Sequence, residues 1–288
     1  MVEERMKIIT QPDEIQSWTM QRRCAGERLA LVPTMGFFHE GHLALMRWAR
    51  EHADALLVSL FVNPTQFGPR EDLKLYPRDP ERDARLAEET GVDVLFMPEA
   101  EAMFPEGYAT WVEAPSLCRG LCAVQRPTHF RGVATVVAKL FVLTNPALAV
   151  FGEKDWQQLA VIRRITRDLH LPVEIHGRPT VRESDGLAMS SRNVNLGPEE
   201  RAQAPAIHRG LLYVARLVGE GEADATLLLA ALGEIYAREI PLGHVEYMAV
   251  VDPDQLYPVE EVTGPVLVAV AVRFANARLI DNILISRK

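Results

Sequence analysis

Between Leu29 and His176, five short runs are apolar at nearly every position and alternate with stretches of helical period. The runs cover residues 29–32, 55–62, 92–97, 147–152 and 173–176. A strand with one wet face alternates apolar and polar side chains, whereas a strand apolar throughout has both faces covered, as in a parallel sheet. In the first helical stretch Leu43, Met46, Ala49 and Ala53 share a stripe. A second helix is predicted from about 80 to 90 with Gly91 as its cap, a third over about 130–143, and a fourth over 155–169 with Leu159, Ile162, Ile165 and Leu169 aligned. This alternation predicts a doubly wound α/β fold with right-handed crossovers.

The pattern changes after His176. Residues 177–182 (GRPTVR) read as a junction, 198–218 and 225–239 as helices, and 244–251, 266–274 and 277–285 as strands. Asn276-Ala277 is expected in the turn of a terminal hairpin. Helices followed by strands predict a smaller α+β domain. The expected division is a first domain of residues 1–176 and a C-terminal lid domain of residues 177–288.

With 48% hydrophobic residues among 288, a sizeable core can form. A net charge of −8 disfavours nucleic acid and anionic membrane as partners. The start, MVEERMKII, has no long apolar region, so no signal peptide is expected, and no uncharged apolar run reaches spanning length. Cys24, Cys118 and Cys122 are odd in number and lack C-x-x-C spacing, and they read as reduced thiols of a cytoplasmic protein.

Four segments could carry chemistry. His39 and His42, beside Gly36 and Gly41, stand where the first helix should begin and fall on one face of it. A helix N-terminus offers unpaired N–H groups and a positive dipole end, which suit phosphate. A plain solvated helix start and a zinc site also fit, although a metalloprotease motif spaces its histidines four apart. The second segment, FGEKDWQQ, follows an apolar run, which puts Lys154 at the carboxyl end of a strand, and Asp155 suits a helix start. The third, DGLAMSSRN, offers two hydroxyls and the planar fork of Arg192. In the fourth, FVNPTQFG, Gln66 can donate and accept, as a substrate with a hydroxyl and a carboxylate would require. Surface cation, cap and polar turn are the ordinary alternatives for these three segments.

Taken together and in order, PTMGFFHEGH, FVNPTQF, RPTHFRGVATVV, FGEKDWQQL, DGLAMSSRN and LIDNILI closely resemble the pantothenate synthetase (pantoate–β-alanine ligase) family, within the nucleotidyltransferase superfamily. The resemblance runs from about Val32 to Ile285 and is thin across 197–262. It implies a Rossmann-like first domain and ATP-dependent joining of pantoate to β-alanine through a pantoyl adenylate, releasing pyrophosphate and then AMP. By similarity the catalytic residues are His42, His39 and Lys154. ATP would lie against Met35, Gly36, His39, Gly41, His42, Gly152, Glu153, Lys154, Asp155, Val181, Met189, Ser190, Ser191 and Arg192. Gln66 and Gln158 would hold pantoate, Gln66 would also adjoin β-alanine, and Asp83 matches an acidic position associated with Mg2+. A homodimer is implied as well. Trp156 stands where the family more often has Phe or Tyr, and residues 117–125 align with no family motif.

Two other functions compete with this one. An adenylyltransferase that keeps the nucleotide in its product would use the same histidines without needing an amine. A non-catalytic ATP sensor would release no pyrophosphate.

Overall fold

The computed structural model describes residues 6–68, 73 and 76–286. The first five residues of the stretch read as lacking a signal peptide lie outside that range. The described chain divides into two compact units.

The first unit comprises residues 1–114, 126–153 and 161–179. Its sheet has six strands: β1 (Lys7–Ile9), β2 (Leu29–Thr34), β3 (Ala55–Leu60), β4 (Val94–Phe96), β5 (Leu148–Gly152) and β6 (Glu174–Arg178). They are ordered β1-β4-β3-β2-β5-β6, and every neighbouring pair is parallel. The predicted strands are thus present in a doubly wound sheet. Among the elements that went unread are β1 and the helix that follows it. The edge strand β1 is only three residues long, with two of them exposed. Helix α1 (Pro12–Cys24) buries just Ile15, Trp18 and Thr19, too sparse an apolar stripe to stand out.

Helix α2 (Glu40–Glu51) buries Met46 and Ala49 against β2 and β3, with Leu43 and Ala53 half-buried beside them. Helix α3 (Pro80–Glu89) starts where the Asp79 side chain accepts the Arg82 N–H at 3.1 Å. It stops before Gly91, whose φ of 81° is the left-handed cap conformation. A short α4 (Ala100–Met103) follows in this unit. Strand order reverses between β2 and β5, so the loops leaving those two strands flank the crevice where open α/β sheets take ligands.

The second unit comprises residues 115–125, 154–160 and 180–288. The sequence places one junction at 176/177, whereas here two earlier segments belong with the C-terminal part. Buried Gln157 ties those two segments together. Its Nε2–H groups donate to the Leu117 and Gly120 carbonyls at 2.8 and 3.1 Å, and its Oε1 accepts from the N–H of Cys122, first residue of α5 (Cys122–Gln125).

In the first unit α6 (His129–Thr144) is a core helix with twelve of its sixteen residues buried. Helix α7 (Trp156–Asp168) buries Leu159, Ile162 and Ile165, but Leu169 lies past its end and is exposed. The helix predicted over 198–218 is two helices, α8 (Pro198–Gln203) and α9 (Ala206–Gly219), broken at Ala204-Pro205, where proline supplies no N–H to continue the helical hydrogen bonds. Helices α9 and α10 (Ala225–Glu239) pack on an antiparallel sheet of β7 (His244–Val251), β8 (Val266–Arg273) and β9 (Arg278–Ile285). Residues 274–277 link β8 to β9, as the hairpin reading expects.

Candidate active site

The loop after β2 owes its shape to a buried carboxylate. Asp83, 1% exposed on α3, accepts the Phe37 N–H through Oδ2 at 2.5 Å and the Phe38 N–H through Oδ1 at 2.8 Å. Gly36 has φ 82°, and a Cβ there would meet Asp83 Oδ2 and Leu60 Cδ2 at 3.0 Å each. Burial pushes the Asp83 carboxyl up, against the two N–H groups and the Arg82 charge that favour its ionised form. Both oxygens are committed to backbone, and among the described residues no three His, Cys, Asp or Glu group to hold a metal. Asp83 therefore anchors the loop, with each oxygen accepting from a backbone N–H.

That loop delivers the two histidines to the start of α2, where they cap it jointly. The Gly41 N–H donates to His39 Nδ1 at 3.1 Å, and the His39 N–H donates to His42 Nδ1 at 3.3 Å. This is a capping box with imidazoles in place of the usual Ser and Glu. The rings lie 4.1 Å apart. An Nδ1 that accepts carries no proton, so each neutral ring keeps its proton on Nε2. Two ring donors thus stand at the positive end of a helix dipole.

Gln66 is 6% exposed and held from three sides. Asn63 Nδ2 donates to its Oε1 at 3.1 Å. The Gln66 carbonyl accepts from His129 Nδ1 at 2.9 Å and from Arg126 Nη2 at 3.2 Å. Its own Nε2 points at the Met35 thioether, 2.9 Å away. Gly132 lets α6 approach this turn, since a Cβ there would lie 2.5 Å from the Thr65 carbonyl oxygen. Met35 and Gln66, expected to touch different substrates, are therefore neighbours. Sulfur is a weak acceptor, so the Gln66 amide can exchange it for a better one. Gly152 and Glu153 leave β5 in the same unit.

In the second unit Lys154 and Asp155 end the turn Glu153–Asp155 that leads into α7. Lys154 Nζ donates to the Met189 carbonyl at 3.4 Å and lies 3.7 Å from Asp155 Oδ2. Asp155 neighbours that cation and precedes the helix start. The Met189 N–H donates to the Val181 carbonyl, which joins two more expected ATP residues. Ser190 Oγ accepts the Arg192 N–H at 3.3 Å and so caps the turn Ser191–Asn195, with Ser191 buried. Gln158 is half-buried, and its amide has no hydrogen-bond partner among the described residues.

Sequence reasoning assigned no role to Asn63, Arg126, His129 or Gln157. Asn before Pro is a turn signal that points to Asn63. Arg126 and His129 lie in RPTHFRGVATVV and Gln157 in FGEKDWQQL, but the carbonyls they bind are far away in sequence and nothing local points to them.

The pantoate-beta-alanine ligase family model matches residues 7–284. A protein of Oleidesulfovibrio alaskensis called pantothenate synthetase is 57% identical, with 96% of this chain and 99% of that protein covered. The crystal structure of pantothenate synthetase from Thermus thermophilus matches with a TM-score of 0.90 at 47% identity, covering 96% of this chain and 99% of that one. That of pantoate-beta-alanine ligase from Francisella tularensis, complexed with beta-gamma ATP and beta-alanine, matches with a TM-score of 0.78 at 29% identity, covering 97% of each chain.

Proposed function

The chain belongs to the pantoate-beta-alanine ligase family, and on that footing we propose that it joins pantoate to β-alanine at the expense of ATP, through a pantoyl adenylate. The observation that carries the chemistry is the shared histidine cap, which sets two Nε2–H donors at the N-terminus of α2.

In the first step a pantoate carboxylate oxygen attacks the α-phosphorus, the bond to the bridging oxygen breaks, and pyrophosphate leaves with the electron pair. Negative charge grows on the phosphate oxygens. Fixed donors aimed at that charge lower the barrier without having to reorganise. His39 and His42 serve as such donors, with Lys154, Ser190, Ser191 and Arg192 as further phosphate contacts. No protein nucleophile is required, since the substrate brings its own. Gln66 and Gln158 hold the pantoate hydroxyl and carboxylate, and Gln66 also adjoins β-alanine. In the second step the β-alanine amine attacks the acyl carbon, loses a proton, and AMP departs.

Magnesium is expected to enter on the triphosphate, because Mg2+ keeps most of its waters and is bound largely through substrate phosphates. A homodimer and a cytoplasmic setting complete the proposal. Among the described residues no helix is long and apolar enough to cross a membrane.

A product assay tests the reading. ATP, pantoate and β-alanine together should give equal amounts of AMP, pyrophosphate and an amide product. A product that retains the adenylyl group would favour an adenylyltransferase, and ATP binding without pyrophosphate release would favour a sensor.

A further inference from the structure

We infer that Asp281 and Asn282, adjacent on β9, are positioning residues that fix the nucleotide-contacting segments of the second unit; this rests on the ATP site proposed above. Arg182 donates from Nη1 and Nη2 to Asp281 Oδ2 and Oδ1 at 2.7 and 3.0 Å. The same guanidinium donates to the Gly186 carbonyl at 3.2 Å. Arg182 also bridges Ala188 backbone to backbone, and the Met189 N–H reaches the Val181 carbonyl at 3.0 Å. The 181–189 turn is therefore clamped onto β9. Asn282 Nδ2 donates to the Lys154 carbonyl at 2.8 Å. Lys154 Nζ donates to the Met189 carbonyl, and this contact closes a ring of interactions.

Successive strand residues point to opposite faces, so one dipeptide can hold two segments from two sides. The composition of the strand argues for positioning over stability. Asp281 is 3% exposed in RLIDNILI, an otherwise largely apolar strand. A buried ion pair gives little net stability, and an apolar pair of similar volume is often as stable or more so. What the polar pair adds is direction. The bidentate fork fixes the orientation of the 181–189 turn, and the Asn282 amide fixes the backbone from which Lys154 extends.

The test compares three variants by ATP-analogue calorimetry, by KM for each substrate and by thermal unfolding. Asn282→Ala should weaken ATP-analogue binding and raise the ATP KM, each on the order of tenfold, with the pantoate KM unchanged and the melting temperature within a few degrees of the parent. The double replacement Arg182→Met with Asp281→Leu should fold, yet raise the ATP KM similarly. Leu279→Ala, on the same strand, should lower the melting temperature and leave the ATP KM alone. If Asn282→Ala does not fold, Asn282→Asp keeps the shape, removes the donor and should give the same ATP effect. Unchanged ATP affinity in the folded variants would overturn the inference, as would equal losses for ATP and pantoate that track stability. If the parent binds the analogue but makes no pyrophosphate, the proposed activity fails, and the calorimetric comparison still decides this inference.

Discussion

Asp83 and Phe37, 46 residues apart, meet through a 2.5 Å hydrogen bond from the Phe37 N–H to the carboxylate. The bond sets the loop that leads into the histidine-capped helix. Asp83→Asn leaves one of the two N–H groups without an acceptor. It should cost about 1–3 kcal/mol of stability and lower activity through the displaced loop. The magnesium concentration giving half-maximal rate should stay the same. Thermal unfolding alongside a magnesium titration checks this. A higher magnesium requirement with unchanged stability would make Asp83 a metal ligand.

His42 caps its helix and is the proposed phosphate donor, and two substitutions separate these roles. His42→Ala should cost about 3 kcal/mol at the transition state, roughly a hundredfold in rate, and about 1 kcal/mol in stability through the lost cap. His42→Gln can still accept the His39 N–H, as Gln does in a capping box, so its stability should stay near the parent while the rate falls. Chemical denaturation and single-turnover adenylation measure the two effects. A folded His42→Ala protein with parental adenylation would remove His42 from the chemistry.

Much of this arrangement is legible in the sequence because it is local. The buried strands are apolar at most positions, and the histidines, Lys154 and Ser190–Arg192 each sit at the end of an element. The illegible part is long-range. Asp83 looks like any helix-start acid until Phe37 and Phe38 are seen to need it, and that need arises only on folding. Gln157 and Gln158 are adjacent and chemically identical, yet one is consumed by the chain at 117–122 and the other makes no hydrogen bond among the described residues. Ala204-Pro205 carried a visible breaker, between the polar PEERAQ helix and the apolar-striped helix that follows.

Gln66 and Lys154 should separate by substrate. Gln66→Ala removes the amide facing Met35 but leaves Asn63 its second acceptor, the Gly132 carbonyl, so the fold should survive. Its pantoate KM should rise at least tenfold, as should that of Gln158→Ala, with ATP affinity unchanged. Lys154→Ala should do the reverse, weakening ATP far more than it lowers the melting temperature. Initial-rate kinetics in both substrates, with calorimetry, decide the assignment. An ATP defect in Gln66→Ala alone would reverse it.

His208 should make stability depend on pH. Its Nδ1 lies 3.8 Å from Asp281 Oδ2, beyond hydrogen-bond reach. Burial, aided by the Arg182 charge and opposed by Asp281, holds its pKa below 6.5. The folded state thus prefers the neutral ring, while the unfolded ring takes up a proton as pH falls through about 6.5. This contribution to stability is complete above that pH and is lost below it. Asp185, Glu239 and Glu246, held low by arginines, contribute only at more acidic pH. Melting temperatures between about pH 5 and 8 should fall on the acid side for the parent and fall less for His208→Gln. Superimposable profiles would assign the dependence elsewhere.

The central claim is that the carboxylate is activated before the amine arrives. Its most direct test is rapid-quench measurement of pyrophosphate from the enzyme mixed with ATP and pantoate, with β-alanine withheld. A burst of about one pyrophosphate per site is expected, held on the enzyme with a species containing both pantoate and AMP that vanishes when β-alanine is added. No pyrophosphate until β-alanine is supplied, or pantoate recovered covalently on the protein, would contradict it.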